Sequence, residues 1–186
     1  MKLFISVLLS LAIFSFCNRG EELLPDTELS IAEFALGEPF EKCYEAASDN
    51  PASSALMIQD SDSCKVVMLL TRLKCSGTKT IPIDVGIRGD DIVRQMSYTV
   101  SNKDYSDDYV QVLDYLNASY GDIKPQKIRW KEKRGEYQVV HKHLDYHYCW
   151  RFSEGYVLAI ERTHWMAPFS DQVVHEGLSV QYRLYE

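Results

Sequence analysis

Beyond its first seventeen residues, the sequence lacks any apolar run long enough to cross a membrane, which takes roughly 20 residues. It also lacks a Gly-x-Ser-x-Gly, a His-Glu-x-x-His and a glycine-rich phosphate loop, the motifs of several large hydrolase and nucleotide-binding classes. We therefore expect no enzymatic activity, and a chain that meets a membrane only through an attachment at its N-terminus.

Positive charge is also scarce, since 20 basic side chains face 27 acidic ones and the net charge is −7. An acidic chain repels the phosphate backbones of DNA and RNA. We therefore expect that nucleic acid is not a partner of this protein.

The first seventeen residues, MKLFISVLLSLAIFSFC, have the composition of a secretory signal peptide, with one cation, Lys2, ahead of a short apolar run. Two processing outcomes are open. Signal peptidase cuts after Cys17, or Cys17 becomes the lipid-modified first residue of a bacterial lipoprotein, although Phe16 stands where lipoproteins have a small residue. In both cases residues 18–29 form a leader or tether. We expect an exported protein that is periplasmic, anchored at the outer membrane or secreted.

Four cysteines follow the signal peptide: Cys43, Cys64, Cys75 and Cys149. An even number in an exported chain predicts two disulfide bonds. Cys64 and Cys75 enclose KVVMLLTRLK, an extended segment whose ends stand too far apart for a bridge. We expect Cys43 to pair with Cys64 or Cys75, and Cys149 to pair with the remaining one. The alternative is that these cysteines are buried thiols.

Hydrophobic spacing and turn residues predict an α+β fold, with two helices packed on a largely antiparallel sheet. We expect one domain over residues 30–186, which divides into halves at 30–103 and 104–186. The predicted helices cover residues 37–51 and 106–121. The predicted strands cover residues 64–74, 80–88, 92–101, 126–132, 136–142, 146–152, 156–164 and 178–185.

A helix followed by several strands occurs twice in this prediction. The two helical regions include the short sequences Leu36-Gly37-Glu38-Pro39 and Tyr120-Gly121. This layout resembles the tandem helix-plus-four-strand arrangement of the β-lactamase inhibitor protein and of small outer-membrane assembly lipoproteins. The resemblance implies a protein-binding module of the bacterial envelope, and it assigns no functional residue.

The stretch HKHLDYHYCW, residues 141–150, contains three of the five histidines. In one continuous strand, alternate side chains would share a face, which is a geometry that suits zinc. Asp145 instead indicates a turn, over residues 143–145 or 143–144, that divides the stretch into two strands. We interpret the stretch as a polar strand face without a cofactor. The alternative is a zinc-binding protein or metal-dependent hydrolase that uses His141, His143, His147 and His164.

A long loop is predicted over residues 165–177, and it includes Trp165, Met166 and Phe169. Such side chains are common in the cores of protein interfaces. They can equally pack against the end of a sheet. We expect this loop to contact another envelope protein, and the whole chain to be a non-catalytic binding or structural module.

Overall fold

A computed structural model describes residues 23–185 with the exception of 62, 76–79, 102–106, 135–138 and 168–173. The side chains of residues 132–141 and 164–175 are likewise not described. The predicted signal peptide and Cys17 lie outside the described residues. Within them, no helix is both long and apolar enough to span a membrane.

Two helices, α1 (Phe40–Asp49) and α2 (Asp108–Tyr120), accompany ten strands in the described part of the chain. A two-stranded sheet is formed by β1 (Ser30–Ile31) and β2 (Phe34–Ala35). The other strands are β3 (Ser54–Ser61), β4 (Cys64–Lys74), β5 (Thr80–Gly89), β6 (Val93–Ser101), β7 (Gln126–Arg134), β8 (Val139–Arg151), β9 (Gly155–Ala167) and β10 (Val174–Leu184).

These eight strands form one antiparallel sheet in the order β3-β4-β5-β6-β10-β9-β8-β7. The predicted α+β fold, with two helices on an antiparallel sheet, is therefore confirmed. Each helix precedes a four-stranded meander, and the last strands of the two meanders, β6 and β10, pair with each other. The tandem repeat stays a prediction, because the same order of elements does not by itself make two halves a repeat.

Both helices pack on one side of the eight-stranded sheet. In α1, the buried side chains Phe40, Cys43 and Ala47 recur at helical spacing. In α2, Val112 and Leu116 are buried, one turn apart. All five belong to the same hydrophobic core as the inward-facing residues of the sheet. We call the opposite side of the sheet the open face.

Aromatic rings fill the core beneath α2. The Trp150 indole N–H donates a hydrogen bond to the Gly121 carbonyl (2.7 Å), which connects β8 to the end of α2. The Tyr120 ring meets the rings of Trp150, Phe152 and Tyr182 at centroid distances of 5.5–6.4 Å. Edge-to-face contacts of this kind add to the stabilisation from burial. The second half of the sheet thus shares its core with the helix that precedes it.

Three predictions about local structure are wrong. The residues expected as a turn, 143–145, lie inside the continuous strand β8, because Asp145 is paired with Ile128 on one side and Arg162 on the other. Strand β3 was not predicted. The expected loop over residues 165–177 is shorter, since β9 extends to Ala167 and β10 begins at Val174.

The second part of the predicted leader, residues 18–29, contacts the folded domain. The Leu24 amide donates a hydrogen bond to the Arg151 carbonyl (2.8 Å). The Asp26 carboxylate accepts one from the Ser153 hydroxyl (2.6 Å). Leu29 is buried in the core. From Leu24 onward the chain is therefore packed against the sheet.

Cys43, Cys64 and Cys75 are thiols in the structure, so the expected pairing of Cys43 with Cys64 or Cys75 is not seen. Cys149, in contrast, takes part in a disulfide bond. The two predicted bridges stay a prediction. Cys43 is buried on the helix side of the sheet. Cys64 is an odd number of positions away from the buried Val67 and Leu69, so its side chain lies on the other side of β4, towards the open face. The eleven residues of β4 separate Cys64 from Cys75. The alternative of buried thiols describes Cys43 and Cys75, while Cys64 is half-buried.

Gly177 lies where the two halves of the sheet meet, since it pairs with Ser101 of β6. It has a φ of +134°, and a Cβ atom there would lie 2.2 Å from the Val100 carbonyl oxygen of β6. We expect Gly177→Ala to lower the free energy of unfolding by about 2–4 kcal/mol, through backbone strain and overpacking. Urea denaturation measures this change.

Gly86→Ala is the matched control, because its Cβ would make only an ordinary contact, 3.7 Å from the Ser97 hydroxyl. It should change stability by less than about 1 kcal/mol. Equal effects of the two substitutions would contradict the close approach of β6 and β10 at Gly177.

Candidate functional site

The histidine-rich segment of β8 lies on the open face. Trp150 of β8 is in the main core, and Tyr148 packs against that core. Side chains at the odd-numbered positions of β8 therefore point to the opposite side of the sheet. Alternation therefore places His143, Asp145 and His147 together on the open face. The structure therefore has one continuous strand here, and the predicted turn is absent from it.

Trp130 of β7 covers the start of this row. It is paired with His143 in the sheet, and the two rings stack with centroids 3.6 Å apart and planes 4° from parallel. Its indole N–H donates a hydrogen bond to one carboxylate oxygen of Asp145 (3.1 Å). Trp130 itself is exposed, while His143 and Asp145 beneath it are buried. We call Trp130, His143, Asp145 and His147 the histidine cluster.

Burial lowers the pKa of His147 below its ordinary value of 6.5, and the neighbouring Arg162 guanidinium acts in the same direction. The Asp145 carboxylate partly opposes these effects. His147 is therefore a neutral imidazole near pH 7, the form in which histidine binds metals. The second carboxylate oxygen of Asp145 is buried without a hydrogen-bond partner among the described residues, which is uncommon in folded proteins.

The strand register also brings the backbone of His164 opposite His143, and that of His141 opposite Met166. The side chains of His141 and His164 lie outside the described residues. Among the side chains that are described, no group of three potential metal ligands converges. The structure thus brings His143 and His147 onto one face beside Asp145, and it leaves the predicted zinc ligand set incomplete.

The predicted partner-contact residues occupy different positions from those expected. Trp165 and Met166 belong to β9, where they pair with Lys142 and His141 of β8. Their side chains are outside the described residues, as is the whole of Phe169. A contact between these residues and another protein stays a prediction.

A second feature of the open face was missed by sequence reasoning. We call it the aliphatic patch, and it consists of Leu56, Ile58, Met68 and Leu70 on β3 and β4. Their exposed fractions are 62%, 58%, 39% and 49%. They are four of the seven large hydrophobic side chains that are exposed in the described part of the chain. Leu56 lies directly opposite Met68, so the patch is continuous across the two strands.

The two edges of the sheet differ in chemistry. Edge strand β7 exposes Lys127, Arg129 and Lys131 at alternate positions, an arrangement that hinders edge-to-edge association of strands. Edge strand β3 exposes Leu56 and Ile58 instead. The patch therefore lies beside an edge strand whose one charged side chain, Asp60, is near its end.

The amino-acid sequence of β4 contained an indication of the aliphatic patch. A strand with one open face usually alternates between apolar and polar residues. The run Val66 to Leu70 is apolar at every position, yet only Val67 and Leu69 are buried in the core. The continuous run, on a strand near an edge, therefore marked an apolar surface on the second face.

Comparison of the chain with protein-family models, curated proteins and solved structures finds no significant match.

The lowered pKa of His147 has a consequence for stability. The pKa of this histidine is lower in the folded chain than in the unfolded chain, so below about pH 6.5 the unfolded chain binds the proton more readily. The free energy of unfolding therefore falls as the pH is lowered. We expect His147→Gln to reduce this pH dependence. Urea denaturation between about pH 5 and 8 measures the effect.

A direct measurement of the His147 pKa by NMR titration provides the control. A value above 6.5, or equal pH dependence in the wild type and the variant, would contradict the burial of this imidazole in the histidine cluster.

Proposed function

We propose that the chain is an exported, non-catalytic module of the bacterial envelope that binds another protein through the aliphatic patch. The exposure of Leu56, Ile58, Met68 and Leu70 on adjacent strands is the observation that supports this proposal. Contiguous exposed apolar side chains are unusual on a monomeric protein surface, and they commonly mark an interaction site.

The patch is large enough to form the centre of an interface. Full burial of an aliphatic side chain contributes about 1.5–3 kcal/mol of favourable free energy. These four side chains are already about half buried. Their complete burial would contribute about 3–6 kcal/mol in total. Association costs at least about 4 kcal/mol because the partners lose translational and rotational freedom. The neighbouring part of the open face must therefore contribute further contacts.

The surface next to the patch suits this role. Gly86 of β5 lies opposite Met68, and Ser97 of β6 lies opposite Gly86. Such small side chains allow a partner to approach the sheet closely. Asp84, opposite Leu70, adds a charged group at the border. An apolar centre with a polar border is the usual composition of a protein interface.

Export rests on the composition of residues 1–17, and an anchor rests on Cys17 as a lipid acceptor. Both lie outside the described residues and are part of the proposal. Trp165, Met166 and Phe169 are a second candidate region for contact with the partner.

Substitution of the patch tests the proposal. We expect the double variant Leu56→Ser, Met68→Ser to lose its chemical crosslinks to the partner in cells, because the apolar contact area is removed. Since both side chains are exposed, thermal stability should change little. Crosslinked species are measured by mass spectrometry.

Val110→Ser is the control, because Val110 is exposed to a similar extent, 38%, but lies on α2. It should keep every crosslink of the wild type. Unchanged crosslinks in the double variant would contradict the proposal, as would equal losses in both variants.

A zinc site in the histidine cluster is the alternative function. It is supported by the pairing of His143 with His164 and by the buried carboxylate oxygen of Asp145 that has no described partner. Zinc ligated by imidazole and carboxylate is well known. This alternative would make the chain a zinc-binding protein or a metal-dependent hydrolase.

Metal analysis of protein purified without a histidine tag distinguishes the two functions. Stoichiometric zinc that is lost in both His143→Ala and His147→Ala would establish the alternative. We expect no stoichiometric zinc, and equal metal content in wild type and variants, if the protein-binding function is correct.

A further inference from the structure

The charges around the aliphatic patch are mostly positive. Alternation along β4 places Arg72 and Lys74 on the open face beyond Leu70, and both side chains are exposed. On β5, Arg88 is exposed on the same face, because it pairs with Val66 of β4. Cations therefore lie at both ends of the apolar row that runs along β4.

Strands β3, β4 and β5 are described in full, and one acidic side chain lies on their open face. It is Asp84, which is exposed opposite Leu70. Asp60 of β3 points to the helix side, since its pair partner Lys65 forms an ion pair with Glu41 of α1. Three cations and one carboxylate, 3 − 1, leave a charge of +2 on this part of the open face. The whole chain, in contrast, has a net charge of −7.

These four charges are not matched within the protein. The ion pairs that the described residues form involve other side chains, such as that of Arg94 with Asp90. Arg72 is two positions from Leu70, or about 7 Å along the strand. This distance is within the Debye length of about 8 Å at physiological ionic strength, so the charge acts on anything that is bound to the patch.

We propose that the segment bound by the aliphatic patch is a helix with an apolar stripe and acidic residues at both ends. Since this helix belongs to the partner described above, the proposal rests on the proposed function. Charge complementarity supports it. Carboxylates at one end of the helix would face Arg72 and Lys74, and those at the other end would face Arg88. Arginine binds a carboxylate through two parallel hydrogen bonds.

The dimensions of the surface suit a helix. Arg88 pairs with Val66, which is six positions before Arg72, so the two arginines are about 20 Å apart along the strand direction. A helix of about 13 residues has this length. Its diameter of about 10 Å covers two to three strands at their spacing of about 4.8 Å, which corresponds to β3, β4 and β5. Gly86, opposite Met68, leaves room for it to approach the sheet.

A lipid surface suits the patch less well, although membranes are also apolar and can be anionic. Asp84 is directly opposite Leu70, so insertion of Leu70 into a membrane would bring this carboxylate against anionic head groups. A protein segment can instead place a hydrogen-bond donor opposite Asp84.

Two synthetic helical peptides with identical leucine stripes test the proposal, one with glutamates and one with lysines at both ends. Fluorescence anisotropy measures the binding of each peptide to the purified protein. We expect the acidic peptide to bind more tightly, and its advantage to shrink as the salt concentration rises, because the charges are exposed. Equal affinities for the two peptides, or no binding of the acidic one, would overturn the proposal.

Substitutions at the border of the patch test the sign of the effect. The double variant Arg72→Gln, Arg88→Gln should weaken binding of the acidic peptide roughly threefold or more, since exposed ion pairs are lost. Asp84→Asn removes the one anion and should strengthen binding. The control, Arg129→Gln with Lys131→Gln, changes the net charge by the same amount on exposed residues of β7. It should leave the affinity unchanged, and equal effects of the two double variants would contradict the proposal.

Crosslinking in cells separates this proposal from the protein-binding function. Arg72→Gln, Arg88→Gln should reduce the same crosslinks that Leu56→Ser, Met68→Ser removes, and the crosslinked peptide of the partner should be acidic. If the patch variant alone loses them, the acidic helix is wrong and the protein-binding function stands. Unchanged crosslinks in both variants would contradict both.

Two further measurements identify other occupants of the patch. Binding to vesicles of phosphatidylcholine and phosphatidylglycerol, lost in Leu56→Ser, Met68→Ser, would assign the patch to an anionic membrane. Self-association in analytical ultracentrifugation, lost in the same variant, would assign it to a second copy of this chain. Either result would overturn the acidic helix, whereas the absence of both, together with tighter binding of the acidic peptide, supports it.

Discussion

Strands β6 and β10 are hydrogen-bonded along seven residue pairs, from Ser101 with Gly177 to Gln95 with Arg183, and this pairing makes one sheet of two meanders. The inward-facing residues of both strands are buried under α2, among them Tyr98 and Tyr182. Burial raises the pKa of Tyr182 well above its ordinary value, so this hydroxyl stays uncharged in the core. The pairing also places Arg183 of β10 in one row with Gln95 of β6.

Both helices lie on the same side of this sheet, and that arrangement leaves the other side open. Polar or small side chains occupy the open face of β6 and β10, for example Ser97, Thr99 and Gln181. Towards the two edges the surface changes, with the aliphatic patch on β3 and β4 and the histidine cluster on β7 and β8. A sheet covered on one side therefore leaves the aliphatic patch and the histidine cluster as separate surfaces of the open face.

The sequence predicted the fold well where local spacing and packing agree. The buried residues of α1 recur at helical intervals, and β5 alternates strictly between exposed and buried positions. Asp145 was misleading, because aspartate favours turns in isolation, whereas pairing on both sides holds it in β8. Strand β3 was missed because its run SALMIQDS shows no clear alternation. An edge strand with an exposed apolar face has no reason to alternate.

The candidate site was harder to predict than the fold. The histidines were identified, but the ring that covers His143 belongs to Trp130, which lies in a different strand. The number of cysteines suggested bridges, but it carries no information about which side of the sheet each cysteine occupies. Arg88 and Arg183 are nearly one hundred positions apart in the sequence, and only the pairing of β6 with both β5 and β10 brings them into one row across the sheet.

Native-state hydrogen exchange tests the pairing of β6 with β10 most directly. If this pairing unites the two halves, the amides of Val100 and Val180 should exchange only through global unfolding, and their protection should report the same free energy as urea denaturation. Amides in the centres of β4 and β9 should then open in the same event. Separate opening free energies for the two halves, with weaker protection in β6 and β10 than in β4 and β9, would contradict a single sheet joined at this pairing.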